Sequence, residues 1–573
     1  MKTLLRIVLV GGLVSLPLLA VAGDEGTTTS SFEMGAWGTT TSDSSDMVSE
    51  YEPDQGGPQF TLNLASHGDM GGLQLETDIR HSDDATTTFD FDIKRMVRSH
   101  TTYTKLLHRL GHDPLTYMEG TSINGKVVQH EDHNPWRTYD LTYAVLHNRT
   151  EFQFPGAEML TFAVEFRDQH REGHRQALVL SHCDTCHVNG MNRPINEHTR
   201  DAALEARLAW HSGGITARYT ARKHRENYRS LSVTYDDALH PEKRKPLFDD
   251  RLQYDSAEGP MPVDMMPDID KGIARLDLQQ DLGKGFYLTG TGVWSETENR
   301  YTGLKASYSG YMATVAGRLG RGWRLRWRGR VYTLDNDDFS VETNERTSVA
   351  GPTAGRTYRE LYNFEPNFLR QSALNRSTVE SNADLSYRFG RKTGTLKFTW
   401  NYRSVDRDHF AVTDSGDTTT TTNLLGISWR ARPARKWRLD ARYRHASVDN
   451  PFMSLNQLAS TLESPPYRNP FSSPQYFQFQ DARIGDGTAL PSSWDEIRLA
   501  ATFNVSATSV FNAAYRWWNG DNSDGDLTDW SRTNQSFTVM FSSSPISRWT
   551  WFAGYSWLDS SLDAPTTIPI FDG

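Results

Sequence analysis

The feature that most constrains this chain is a strict alternation of apolar and polar residues from residue 272 onward. Over residues 323–331 the odd positions are apolar or small, and the even positions are all arginine. A period of two places these two sets on opposite faces of one β-strand. The same split recurs over 396–403, 437–444 and 549–557. The region is therefore predicted to be a series of antiparallel strands.

Short turns join these strands in pairs, and long segments join the pairs. Leu319-Gly320-Arg321-Gly322 is one of the short turns. The long segments are residues 225–271, 336–378 and 450–494. We predict six hairpins, or 12 strands, between residues 272 and 558. Short turns at one end and long loops at the other are characteristic of an outer-membrane barrel.

The chemistry of the two faces agrees with a barrel. Of the 16 Trp residues, 13 lie beyond residue 290, and many stand near strand ends, as aromatic girdles at a bilayer interface require. A polar, arginine-rich second face is costly in the core of a soluble sandwich but not in a wet or protein-filled lumen. The low hydrophobic fraction of 37% also fits, since only every second strand residue meets lipid.

The first half of the chain continues the pattern less regularly. A hairpin turns at Ser212-Gly213-Gly214, and further strands are predicted over 60–66, 73–80, 87–94, 138–146, 159–167 and 175–181. The predicted fold is all-β: a large antiparallel transmembrane β-barrel of about 20 or more strands over residues 59–573, with short periplasmic turns and long outer loops. A barrel of that size encloses a channel or a plug.

The N-terminus has the pattern of a secretory signal. Lys2 and Arg6 precede an apolar stretch over 7–19, and Ala20-Val21-Ala22 is a small-x-small cleavage site, which predicts a signal peptide over 1–22. Residues 23–58 are rich in Thr, Ser, Gly and Asp and are predicted to be a flexible leader. Export and barrel together predict the bacterial outer membrane. A net charge of −10 argues against nucleic acid as a partner.

Both cysteines of the chain fall in one motif, Cys183-Asp184-Thr185-Cys186-His187. In the C-x-x-C-H spacing, Cys183 and Cys186 can form thioethers to one haem, and His187 is placed as the proximal iron ligand. The prediction is one covalent haem c on a loop at about 183–200. A disulfide and a thioredoxin-like dithiol are the alternatives, although the latter expects a strand–helix context.

The second axial ligand of such a haem is chosen among nearby side chains. His198 is the candidate we select, while Met191, His170, His174 and His211 are also close in sequence. The abundance of His in the first half is otherwise expected to reflect polar loop and lumen composition, with metal binding in the 133–147 region as the alternative.

Motifs of catalysis are missing from the sequence. We find no P-loop, dinucleotide fingerprint, G-x-S-x-G or H-E-x-x-H, and nothing pairs two carboxylates for acid–base work. The chain is predicted not to be an enzyme.

The residues quoted above also carry a family resemblance. The strand series with turns such as 319–322 and 431–436, and the segments 171–175 and 193–199, resemble the decahaem-cytochrome-associated outer-membrane porins of the MtrB/PioB type. In that family the barrel sheathes a periplasmic multihaem c-type cytochrome in its lumen, which meets an extracellular cytochrome at the outer mouth. The resemblance has two departures: an N-terminal C-x-x-C of some members is absent, and a haem motif within the barrel is not general.

The resemblance implies an electron-transfer function. We expect a porin-like barrel that carries one haem c and acts in extracellular electron transfer, as sheath and relay for a multihaem cytochrome. The alternatives are a diffusion porin with a structural or sensory haem and a soluble periplasmic β-rich cytochrome. Inward arginines either line a basic lumen or pair with inward Asp and Glu across strands.

Overall fold

The computed structural model is almost entirely β-structure. It describes residues 27–38, 50–51, 57–116, 121–123, 126–128, 130–180, 188–228, 230–234, 260–341, 356, 360, 368–370, 372, 374–390, 392–407, 419–451, 491–522, 530–546 and 548–564. The predicted signal peptide lies outside these residues. The leader predicted to be flexible over 23–58 is not so throughout, because Thr27–Trp37 forms a strand that pairs antiparallel with the strand Gly57–Gly68. No helix among the described residues is both long and apolar enough to cross a membrane.

The first part of the chain forms fourteen strands in chain order. They are β1 (Thr27–Trp37), β2 (Gly57–Gly68), β3 (Gly71–His81), β4 (Asp84–Ile93), β5 (Val97–Leu110), β6 (Thr121–Ile123), β7 (Lys126–Val128), β8 (His130–Asp132), β9 (Tyr139–Gln153), β10 (Leu160–Leu180), β11 (Val188–Trp210), β12 (Gly213–Glu226), β13 (Leu231–Val233) and β14 (Met261–Val263).

The second part continues with fourteen more. They are β15 (Ile269–Gly283), β16 (Phe286–Asn299), β17 (Lys305–Gly317), β18 (Trp323–Asn336), β19 (Phe339–Val341), β20 (Phe368–Arg370), β21 (Arg376–Gly390), β22 (Gly394–Arg407), β23 (Thr419–Ala431), β24 (Trp437–Asp449), β25 (Ser493–Asn504), β26 (Ser509–Asp521), β27 (Ser531–Ile546) and β28 (Trp549–Asp563).

Twenty-two of these strands belong to one sheet, and the pairs β6–β7, β13–β14 and β19–β20 form small two-stranded sheets. Neighbouring long strands pair antiparallel in chain order, for example β2 with β3 and β23 with β24. The short β8 is an exception, since it runs parallel to β11. The predicted all-β fold class, a large sheet of long antiparallel strands, is confirmed.

The chain divides into two compact units. Unit 1 comprises Met1–Arg275, Ser295–Lys305 and Arg346–Arg356, and unit 2 comprises Leu276–Trp294, Ala306–Glu345 and Thr357–Gly573. From residue 269 onward, the long strands β15–β18 and β21–β28 reproduce the 12 strands that the alternation predicts. Period-two patterning specifies them well because one face meets lipid and the other does not.

Besides the leader, two predictions for unit 1 differ from the structure. The strands expected over 159–167 and 175–181 are one strand of 21 residues, β10. Residues 188–200, expected in a loop, belong to the 23-residue β11, whose Val188 end pairs with Leu180. The sequence there suggests a loop because Gly190 and Pro194 disfavour regular strands. Pairing with β10 along its whole length nevertheless holds this segment extended.

Tight turns connect successive strands. Gly394, which opens β22, has a φ of 89°, and a Cβ there would lie 2.0 Å from the carbonyl oxygen of Arg430. Only glycine tolerates both the positive φ and the close approach of this carbonyl oxygen. In the β9–β10 turn, the backbone amide of Gly156 donates to the Glu158 carboxylate at 2.9 Å, and this hydrogen bond lowers the pKa of Glu158.

Candidate functional site: the charged inner wall

Strand alternation sorts the side chains of unit 2 onto two faces. Trp327, Leu425 and Trp429 lie on the exposed apolar face, which in a barrel meets lipid. The residues between them form the opposite face, which we call the inner wall. On β18 and β21–β27 the carboxylates of this wall are Glu380, Asp384, Asp440 and Glu496. The cations outnumber them and are Arg324, Arg326, Arg328, Arg330, Arg376, Arg388, Lys397, Arg403, Arg407, Arg430, Arg438, Arg442, Arg444, Arg498, Arg516 and Arg532.

A basic cavity opens on the inner wall of unit 2. Its volume is about 380 Å³, and its lining includes Arg318, Arg324, Arg326, Lys397 and one carboxylate, Asp384. The Lys397 ammonium lies 2.9 Å from Asp384, so this carboxylate is already engaged. A cavity of this size is within the range of small-molecule sites. Its surplus of positive charge suits a small anion.

Two of the four arginines of β18 stand opposite uncharged residues of β21. Arg328 faces Asn382, and Arg324 faces Ser386. Arg326 and Arg330 instead face Asp384 and Glu380, and Glu380 lies 3.8 Å from Arg330. Cross-strand carboxylates therefore neutralise only part of this row, and the row keeps a net positive charge.

A second basic cluster surrounds one buried carboxylate. Glu496 is 1% exposed and accepts hydrogen bonds from Arg442 at 3.3 Å, from Arg516 at 2.7 Å and from Arg444. The strand register also places Arg498 between Arg442 and Arg516 on adjacent strands. One carboxylate thus contacts three of four neighbouring guanidinium side chains, so the cluster has excess positive charge.

The inner wall of unit 1 is different because its charges are paired. Arg218 donates to Glu165 at 2.8 Å, and Arg149 donates to Glu205 at 2.8 Å. Arg222 binds both oxygens of Asp201, at 2.7 and 2.8 Å. Further along the wall, Arg98 donates to Asp92 at 2.9 Å and His100 lies 2.6 Å from Asp90, beside a cavity of about 580 Å³. This part of the wall is close to electrically balanced.

The inward arginines were predicted either to line a basic lumen or to pair with carboxylates across strands, and each interpretation applies to one of the two units. In unit 1 the arginines pair with carboxylates across strands, whereas in unit 2 they line a basic surface. The sequence predicted the Arg324–Arg330 row on an inward face. It missed the role of Glu496, whose position among the arginines depends on the pairing of strands that are far apart in sequence.

The predicted haem residues Cys183, Cys186 and His187 lie outside the described residues. They belong to the segment that joins β10 to β11, whose ends meet at the pair Leu180–Val188. Among the described residues, no group of three or more His, Cys, Asp or Glu is arranged to hold a metal ion.

His198, the selected second iron ligand, lies well inside β11. It is ten residues from Val188, about 33 Å along an extended strand. Its ring stacks on His170 of β10 with the centroids 4.0 Å apart, and its Nδ1 lies 3.7 Å from Asp168. The structure therefore does not bring His198 close to the strand ends that flank the motif.

Comparison with known proteins places the chain by fold alone. No family model matches, and no curated protein matches. Solved structures that are similar include the ferric-catecholate import receptor Fiu of Escherichia coli K12, with 10% identity, 92% of this chain and 78% of that chain covered, and a TM-score of 0.39. The FrpB iron transporter of Neisseria meningitidis has 9% identity, coverages of 92% and 76%, and a TM-score of 0.40. The copper transporter OprC has 10% identity, coverages of 92% and 73%, and a TM-score of 0.41.

These comparisons correct the predicted function. The expectation of a sheath and relay for electron transfer is corrected, since the similar solved structures are named as an import receptor and as transporters of iron and copper. The expected cytochrome partners, and the resemblance to decahaem-associated porins, stay predictions from sequence.

Proposed function

We propose that the protein is an outer-membrane transport barrel that admits small anionic solutes along the inner wall of unit 2. The observation that carries this proposal is the basic cavity of Arg318, Arg324, Arg326 and Lys397, which contains one carboxylate. Guanidinium groups bind carboxylates and phosphates through paired hydrogen bonds. The preferred solute is therefore a small organic acid or a phosphate ester.

The cluster around Glu496 extends the same preference. Arg442, Arg498 and Arg516 stand side by side on three strands, and like charges in adjacent strand positions repel one another. A passing anion relieves that repulsion, whereas a cation meets no free carboxylate there, since Glu496 already accepts from three arginines. A wall lined by one sign of charge concentrates counter-ions of the opposite sign.

Ion selectivity in planar bilayers tests this proposal. The purified protein is inserted under a salt gradient, and the reversal potential gives the ratio of chloride to potassium permeability. We expect anion selectivity, and a shift toward neutrality in the Arg324→Gln/Arg326→Gln variant. Arg200→Gln is the matched control because Arg200 is 59% exposed on the outer face of β11. Cation selectivity, equal permeability or the lack of any conductance contradicts the proposal.

We infer separately that Cys183 and Cys186 carry one covalent haem c with His187 as its proximal ligand. Two thiols at this spacing, followed by His, supply the thioether and iron-binding groups that such attachment requires, and the predicted export fits the compartment. Haem staining of the denatured protein after electrophoresis is the test. Staining of the wild type and its loss in Cys183→Ser/Cys186→Ser support attachment, and an unstained wild-type band contradicts it.

A further inference from the structure

Among the described residues that line the basic cavity of unit 2, one is aromatic: Tyr287, near the start of β16. Trp294, seven residues further along the same strand, donates a hydrogen bond at 3.0 Å to the hydroxyl of Tyr311. Tyr311 pairs with Val331 on the exposed apolar face. Since side chains alternate along a strand, Tyr287 lies on the opposite face, which is the inner wall.

The side chain of Tyr287 is available to a ligand. It is 50% exposed, and within the described part of the chain its hydroxyl makes no hydrogen bond and its ring contacts no other aromatic ring. Tyr332, further along the inner wall, is different. It is 8% exposed, and the Arg330 guanidinium lies 4.4 Å from the centroid of its ring. The cavity therefore contains a free aromatic surface, whereas the ring of Tyr332 is covered.

Two free guanidinium groups line the same cavity. Arg324 and Arg326 form no ion pair and no hydrogen bond with the residues that the structure describes. Asp384, opposite Arg326 on β21, is already engaged. The Lys397 ammonium lies 2.9 Å from this carboxylate, and the Thr399 hydroxyl donates to it at 2.9 Å. The cavity thus combines unpaired cations with a free ring, and its volume of about 380 Å³ is within the range of small-molecule sites.

We infer that the anion which this cavity takes is an aromatic carboxylate, an inference that rests on the proposed function and names its class of substrate. The carboxylate accepts paired hydrogen bonds from Arg324 or Arg326, and the ring stacks with an offset on Tyr287. A guanidinium group also attracts the face of an aromatic ring, as Arg330 does elsewhere on this wall. An aliphatic acid of similar size makes only the contacts of the carboxylate.

Isothermal titration of the full-length protein in detergent, with benzoate and cyclohexanecarboxylate as separate probes, tests this inference. Both acids are ionised at pH 7, and they differ in the aromaticity of one six-membered ring. The wild type should bind benzoate more tightly by about three- to tenfold, the range of aromatic pair interactions. Tyr287→Leu should abolish this preference, whereas Tyr287→Phe should keep it. Tyr311→Leu is the matched control, because Tyr311 is 54% exposed on the opposite face.

A preference for benzoate that is lost in Tyr287→Leu and kept in Tyr287→Phe and Tyr311→Leu supports the inference. Equal affinity of the wild type for the two acids overturns it, as does the absence of saturable benzoate binding or an unchanged preference in Tyr287→Leu. The comparison of two acids on the wild type is decisive even if a variant does not fold. Anion selectivity in bilayers with equal affinity for both acids would reject this inference alone, whereas cation selectivity would contradict the transport proposal itself.

Discussion

Replacement of Glu496 by Gln is the most informative single change in unit 2. Gln keeps the shape of the side chain and one acceptor oxygen but loses the charge that holds Arg442, Arg444 and Arg516 together. Removing one member of a buried ion pair costs about 3–5 kcal/mol, because the remaining charge is left uncompensated. The three arginines are 33%, 31% and 51% exposed, so water screens part of the loss. We therefore expect the lower end, about 3 kcal/mol.

Equilibrium unfolding in guanidinium chloride, followed by tryptophan fluorescence, measures this loss. Glu380→Gln is the matched control because Glu380 is more exposed, at 23%, and its arginine contacts are longer, at 3.5 and 3.8 Å. Such loose pairs contribute about 1 kcal/mol or less. If the two variants lose the same free energy of unfolding, the argument that Glu496 organises the cluster fails. The transport proposal adds that Glu496→Gln raises anion selectivity, because the wall gains one net positive charge.

Three further outcomes follow from the lipid face and the turns. Leu425→Arg, on the lipid face, should lower the free energy of unfolding by about 2–4 kcal/mol if Leu425 lies near the bilayer midplane. The control Ser428→Arg, on the inner wall, should change this free energy little. An equal effect of the two variants would contradict the assignment of faces. Gly394→Ala should cost more than about 1 kcal/mol in the same assay, since the residue has a positive φ and its Cβ would meet the Arg430 carbonyl, and a neutral effect would contradict the turn geometry. The pKa of the Glu158 carboxyl is lower in the folded protein than its ordinary value of 4.5. The ionised carboxylate therefore stabilises the fold above pH 4.5, and this stabilisation is lost as the pH falls through the lowered pKa. Glu158→Gln should remove this pH dependence from the free energy of unfolding measured between about pH 6 and pH 2, and an unchanged profile would contradict the assignment.

The sequence predicts the second half of the fold better than the first half. From β15 onward each long strand has a clear lipid face, and a period of two suffices to find it. The strand β5 was missed because its residues Val97–Leu110 mix polar and apolar side chains on both faces. The break predicted between 167 and 175 is absent because pairing with β11 carries β10 through Gly173. Tertiary pairing of this kind overrides local preference.

The candidate site likewise has one part that the sequence predicts and another that it does not. The inward arginines of β18 can be read from alternation, because their faces are fixed by neighbours in the same strand. The environment of Glu496 cannot, since its partner Arg444 is 52 residues away and the register of two hairpins decides their contact. The alternation of residues along a strand thus predicts which face a side chain lies on, whereas the register between strands decides which side chains it contacts.

The length of the β10–β11 hairpin has a consequence at the cell surface. A transmembrane β-strand needs about 9–11 residues, so strands of 21 and 23 residues extend well past the bilayer. The apolar outer face of β10 ends at Phe166, and Leu180 is a further 14 residues on, which at a tilt of ~45° raises the tip by roughly 30 Å. The strand ends Leu180 and Val188 thus lie well outside the bilayer on one side, while the base of the hairpin stays in lipid. Surface labelling of intact cells at this tip therefore reports the orientation of the whole protein.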